Sequence, residues 1–395
     1  MPLYKLENVI QNYAWGSKKS LRELFSMENP NNDPQAEVWM GAHPGGCSKI
    51  AESGHLLSDF IEKNRKVALG NYTSVRFGEL PYLFKVLAAE TPLSIQVHPN
   101  KRKSEIGFAR ENAQGIALGA VNRNYKDPNH KPELVYALTF YKAINGFRPI
   151  EHIVELFQQA AIATFNDEVL LLESNQTSQG LRAFFTSVMS VSDKRKANAL
   201  SELYRAIERP TRTAMCREAL SYCADFRTYY DGDIGLFAPL MLNTVELEPG
   251  EAMFLDAETP HAYVEGTGLE VMANSDNVLR AGLTQKHIDI AELIDNTKFE
   301  SIKPEEVKLT PVKKQGKITY PIAVDDFCFD ILYSEQTPSC QYVRSAEIVF
   351  CVEGEMTLST DDTQIRLEPG ESAFIPHDSI MYHYQGMGTL ARVYN

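Results

Sequence analysis

Three short stretches hold side chains that could meet around a metal ion. In LSIQVHP (93–99), strand-like alternation puts Leu93, Ile95 and Val97 on one face and Ser94, Gln96 and His98 on the other. Gln96 and His98 can then reach a common point above a sheet, although a lone Q-x-H is more often just the polar face of a strand. In NHKPELVYAL (129–138), Pro132 excludes helix and favours an extended entry to a strand. There Lys131 and Glu133 share one face, and Leu134, Tyr136 and Leu138 the other. In ETPHAYVEG (258–266), His261 and Tyr263 lie on one face. If Gln96, His98, Glu133 and His261 converge, their nitrogen and oxygen donors suit zinc, and also iron or manganese. One carboxylate and two neutral imidazoles leave a divalent ion with net positive charge, able to polarise a substrate oxygen or stabilise an enediolate.

The densest polar run is LEVMANSDNVLRAGLTQKHIDIAELI (269–294). Glu270 and Asn274 are in phase on a strand, and Asp276 and Arg280 sit in a turn. Thr284 is expected to cap a helix whose apolar residues are Ile288, Ala291, Leu293 and Ile294. Lys286 would fall in its first turn, against the helix dipole. A lysine beside free backbone N–H groups would bind phosphate there.

These candidates must be carried by strands. Residues 1 to about 148 mix short strands, turns and a few helices, and residues from about 236 onward read as short strands punctuated by Gly and Pro. Between them, HIVELFQQAA, QGLRAFFTSVMS and ANALSELYRAIER repeat apolar residues at helical spacing. This segment shows no chemistry and is expected to be a packing or lid domain inserted into a β framework. The β part repeats itself: LEPGEAMFL (247–255) returns as LEPGESAFI (367–375), a shift of 120 residues. Pro then Gly between two apolar runs predicts a tight turn in each. The unit resembles the second half of the cupin motif, and its repetition predicts two cupin-like modules. The first ends on His261. In the second, Met381 stands at that place, with His383 two residues on, and EIVFCVEGEMTL (347–358) carries apolar residues where ligands would be needed. The second module is therefore expected to bind no metal.

With 395 residues, 44% of them hydrophobic, the chain is long enough for two or three domains. The six cysteines are scattered, with no C-x-x-C pair, which argues against a thiolate zinc knuckle and a disulfide framework. The N-terminus lacks an apolar signal core, and no stretch reaches the roughly 18 apolar residues of a membrane span, so a cytoplasmic protein is expected. The net charge of −13 disfavours nucleic acid and anionic membranes as partners. An anionic small substrate would need a local cluster of Lys and Arg.

Together the motifs closely resemble the type I phosphomannose isomerase family. The matching stretches are QNYAWGS (11–17), AEVWMGAHPGG (36–46), PYLFKVLAAETPLSIQVHPNK (81–101), HKPEL (130–134), TPHAYVEG (259–266) and SDNVLRAGLT (275–284). The resemblance implies a mainly β fold with an inserted α-helical domain: two cupin-like jelly-roll β-barrels plus the helices. Residues 1–148 and 236–324 would form the catalytic cupin domain, 149–235 the helical insertion, and 325–395 a metal-free cupin-like domain. It implies one Zn2+ per chain on Gln96, His98, Glu133 and His261. The substrate phosphate would lie near Ser94, Lys85 and Lys286. Arg280, Asp276, Lys131 and Glu270 would line the sugar pocket, shaped by Tyr263 and Trp15. The implied reaction interconverts mannose 6-phosphate and fructose 6-phosphate through a cis-enediol, serving mannose use and GDP-mannose supply. Arg280 and zinc would stabilise charge; the base is open among Glu270, Asp276, Lys131 and His130. The expected partner is a small phosphosugar substrate, with no nucleic acid or membrane partner, and the protein is expected to be a monomer. Two rivals remain: a cupin oxygenase using iron at the same metal ligands, and a non-catalytic sensor that binds the same sugar phosphate without turnover. The cationic run around Lys286 argues against the first, and the acid–base groups argue against the second.

Overall fold

The computed structural model describes residues 2–210, 213–334 and 338–395. Its strands form two ten-stranded sheets with antiparallel pairing between strands. The first sheet is organised around one long strand, His261–Ala273. Its first half pairs with Ile95–Val97 and Tyr141–Phe147, and its second half with Tyr82–Ala89 and Glu133–Ala137. Every strand that carries a candidate ligand therefore touches this one, or continues from a strand that does.

The two LEPGE turns have the same construction. Glu251 N donates to Glu248 O at 2.9 Å and Glu371 N to Glu368 O at 3.0 Å, with Gly250 and Gly370 at φ +93° and +90°. Positive φ at the third turn position is what glycine supplies in a type II turn. A side-chain bond also repeats: the carboxylates of Glu251 and Glu371 accept from the N–H of Glu248 and Glu368, both at 2.9 Å. The strands that follow, Ala252–Leu255 and Ser372–Ile375, pair with Glu133–Ala137 and Glu347–Ser359 in matching register. The second sheet also takes in Tyr4–Glu7 and Lys49–Ile50 from the beginning of the chain.

The insertion is helical, as its periodicity predicts. It includes Ile150–Ala160, Asn166–Ser174, Ser178–Met189, Asp193–Ile207 and Ala214–Tyr229. Thr177 and Thr213 cap two of these by accepting from Gly180 N and Cys216 N. The helices bury Phe157, Phe184, Leu203 and Phe226 in one core with Ile95, Val97, Leu279, Ala281 and Leu283. The strands bearing Gln96 and Arg280 thus have apolar backs against the helices and polar fronts on a cleft. Leu93 departs from the expected alternation: it precedes the strand and lines the cleft. No helix among the described residues is long and apolar enough to cross a membrane.

Candidate metal centre and cleft

His98, Glu133 and His261 come together, all buried, with their donor atoms within 4.8 Å of one another. His98 Nε2 lies 3.3 Å from Glu133 Oε1, and His261 Nε2 lies 3.4 Å from Glu133 Oε2. Donors about 2.1 Å from a tetrahedral ion would be about 3.4 Å apart, so the spacing fits a zinc-sized site. Each imidazole turns Nδ1 to a backbone carbonyl, Asn277 O at 2.6 Å and Thr259 O at 2.8 Å. Those bonds fix the Nδ1–H tautomer and aim the Nε2 lone pairs inward. Among the described residues, the buried Nε2 of His98 has no hydrogen-bond partner. Asn277 is itself anchored, its amide donating to the carbonyls of Asp127 and Asn129 at 2.8 Å each. Gln96 pairs with both His261 and Arg280 in the strand register and lines the same cavity.

Charge is balanced closely around these donors. Burial alone would raise the Glu133 carboxyl, but Lys131, at 2.8 Å, and then His98 hold it well below the usual carboxylate range. Burial, reinforced by Lys131, lowers His98 to about 4 against the pull of Glu133, which keeps it neutral and able to bind a metal. Tyr263 OH is 2.8 Å from Glu133 Oε2 and 2.7 Å from Glu270 Oε1. Lys85 Nζ is 2.7 Å from Glu270 and 3.7 Å from Glu37. Burial acts to lower Lys85, yet Glu270 and Glu37 together keep it above the ordinary lysine range. Burial raises Glu37 despite Lys85, and Trp39 Nε1 donates to it at 2.6 Å.

The cleft has two ends. The inner one is lined by Glu37, Lys85, Lys131, Glu133, His261 and Glu270, the outer one by Trp15, Tyr230, Arg280, Thr284, Gln285 and Lys286. Leu93, Ser94 and Gln96 line both, so the two ends share a wall. Arg280 is half-buried and Lys286 exposed, and among the described residues neither side chain has a hydrogen bond or ion pair within the protein. Arg280, followed by burial and Lys126, lowers Lys286. Two cations set against each other without an acidic partner make a site for an anion.

Several expectations need correcting. Lys85 is not near Lys286; it belongs to the inner end, where two carboxylates already neutralise it. His130 faces away from the cleft, 3.0 Å from Asp326. Asp276 lies outside both ends, exposed and 3.6 Å from His43. Arg280 is on the strand Leu279–Gly282 rather than in a turn. Lys286 precedes the helix Ile290–Asp295, whose cap is Asp289, not Thr284; Thr284 Oγ1 instead accepts from Lys286 N at 3.1 Å. Lys286 therefore lies outside the first turn of that helix. In the second sheet, Glu347 pairs with Ile375 as Glu133 pairs with Leu255, so an acid does stand at a ligand's register there. Glu37, Tyr230 and Gln285 are wall residues that the sequence pattern did not single out. Glu37 had a signal, an acid opening the otherwise apolar, fully buried strand Glu37–Met40; Tyr230, from the helical insertion, had none.

Known proteins bear directly on this arrangement. The catalytic-domain model of type I phosphomannose isomerase matches residues 3–150, its helical-insertion model 156–242, and the cupin-domain model of mannose-6-phosphate isomerase 316–395. The mannose-6-phosphate isomerase of Salmonella typhimurium is 51% identical over the whole of both chains. The chain belongs to the type I phosphomannose isomerases. The Escherichia coli member is 49% identical, again over the full length of both. A crystal structure of a zinc-bound mannose 6-phosphate isomerase superimposes with a TM-score of 0.94 at 50% identity, covering both chains completely. Both sheets and the helical insertion are thus features of a type I phosphomannose isomerase.

Proposed function

We propose that the chain is a zinc-dependent aldose–ketose isomerase interconverting mannose 6-phosphate and fructose 6-phosphate. The observation that carries this is a histidine–carboxylate cluster in one cavity and, in the adjoining cavity that shares its Leu93–Ser94–Gln96 wall, Arg280 and Lys286 with no acidic partner among the described residues. Gln96, His98, Glu133 and His261 would hold the zinc. When bound, it supplies Lewis-acid charge for the sugar oxygens at C1 and C2.

The residues of the chain divide the remaining work. Arg280 and Lys286, with Ser94 on the shared wall, hold the phosphate and so fix the far end of the open-chain sugar. Trp15 and Tyr230 close the sides of that end. At the inner end a proton must leave C2 and return at C1. Glu270 and Lys131 are the two candidate bases that line this end, and we assign the transfer to them. Lys85 and Tyr263 grip the two oxygens of Glu270 and set its orientation. Such an enzyme links mannose use to the supply of mannose phosphate for GDP-mannose.

A coupled assay for fructose 6-phosphate tests the activity. Mannose 6-phosphate should be converted and free mannose should be a far poorer substrate. Binding of mannose 6-phosphate without turnover would favour a sensor instead. Glu270→Gln and Lys131→Met should each lower kcat by roughly a hundredfold or more while zinc content is retained.

A further inference from the structure

The turn that carries Lys286 is held by the helical insertion. Leaving the strand Leu279–Gly282, the backbone passes through Gly282 at φ +134° and Leu283 at φ +53°. A leucine in the left-handed region costs roughly 1 kcal/mol or more and persists only where the surroundings hold it. Asp233, just beyond the helix Ala214–Tyr229, does the holding. Its Oδ1 accepts from Leu283 N at 2.8 Å and Gly235 N at 2.6 Å, and its Oδ2 from Thr284 N at 3.2 Å. The two segments meet glycine against glycine: a Cβ on Gly282 would lie 2.7 Å from Gly235 Cα. From the same loop, Tyr230 lines the outer cleft and donates to Pro92 O at 2.7 Å, just ahead of Leu93 and Ser94. The insertion therefore grips both walls of the cleft's cationic end.

We propose that Asp233 is a positioning residue for that end: through it the helical insertion fixes the Leu283–Lys286 turn so that Lys286 meets the substrate's phosphate. The proposal rests on Arg280 and Lys286 being the phosphate end. It makes a prediction opposite in sign to simple charge repulsion. Removing an acid near an anion site should tighten anion binding, whereas releasing this turn should weaken it.

The test measures competitive inhibition by inorganic phosphate, KM for mannose 6-phosphate, kcat and zinc content in wild type, Asp233→Ala, Asp233→Asn, Lys286→Ala and Arg280→Met. Asp233→Ala should raise the phosphate Ki and the KM about tenfold, the loss expected for charge-assisted hydrogen bonds. Zinc content and most of kcat should remain, and Asp233→Asn, which keeps one acceptor oxygen, should fall between. A phosphate Ki that is unchanged or lower in Asp233→Ala, while Lys286→Ala and Arg280→Met raise it, overturns the role of Asp233 alone. An unchanged Ki in both cation variants overturns the phosphate end itself. Should Asp233→Ala not fold, Asp233→Asn decides: a phosphate Ki raised above wild type supports the proposal, and a wild-type or lower Ki opposes it.

Discussion

The imidazoles of His98 and His261 are gripped from behind by backbone carbonyls, which leaves their Nε2 atoms already turned toward Glu133 and the metal position. His98→Ala or His261→Ala should release most of the zinc and nearly all activity, measured as metal per chain alongside turnover. Lys286 makes a separate prediction. Because Arg280 lowers it, Lys286 loses its proton at a lower pH than an ordinary lysine. Its cation is present below that pH and gone above, so kcat/KM should fall on the alkaline side earlier than a normal lysine allows. Lys286→Arg should move that limb upward; a limb unmoved by the change would remove Lys286 from phosphate binding. The candidate ligands were readable because strand alternation ties Gln96 to His98 and proline breaks isolate HKPE and TPHAY. Which candidate acids and bases line the cleft was not, since that depends on partners far away in sequence: Asp326 draws His130 outward, and Glu37 and Glu270 hold Lys85 inward.

The repeated strand–turn–strand unit was visible because its turn needs glycine at one position and its flanks need apolar alternation. The copies differ in what surrounds the glycine. A Cβ on Gly250 would meet only Tyr136 OH at 3.9 Å, whereas one on Gly370 would come within 2.7 Å of Phe25 Cβ. Gly250→Ala should therefore cost about 1 kcal/mol, the conformational penalty alone. Gly370→Ala should cost more, read as the difference in denaturation midpoint. Local pattern failed around Lys286, where apolar spacing suggested a longer helix. The tertiary pull of Asp233 on Leu283 and Thr284 holds the chain in a turn there, and the helix starts only after Asp289.

Across the molecule, the two sheets answer the same internal charge problem differently. Where the first gathers donors for a cation, the second buries Glu347 and Asp330 around Arg392, at 2.5 and 2.7 Å. Burial opposes charge on Arg392, but Glu347 and Asp330 keep it well above its ordinary value. Arg392→Met should destabilise the protein by about 3–5 kcal/mol by stranding buried carboxylates, with zinc content unchanged. Adding Glu347→Leu should recover part of that loss; a double variant no more stable than the single would show that Glu347 is not the stranded charge. Neither Arg392 nor the attachment of the first strands to the second sheet could be read from sequence, because both rest on pairings between distant strands. The helical insertion was recognised as helical, yet its reach into the cleft through Tyr230 and Asp233 was not, because helical periodicity reports only the buried face.

Metal and turnover should be measured on one sample: protein stripped with a chelator, titrated with zinc, and followed for conversion of mannose 6-phosphate to fructose 6-phosphate. Activity should rise in proportion to bound zinc and level off at one ion per chain, with His383→Ala behaving as wild type, as the single buried His98–Glu133–His261 cluster among the described residues requires. Full conversion by the stripped protein, or a second zinc per chain that is lost in His383→Ala, would contradict it.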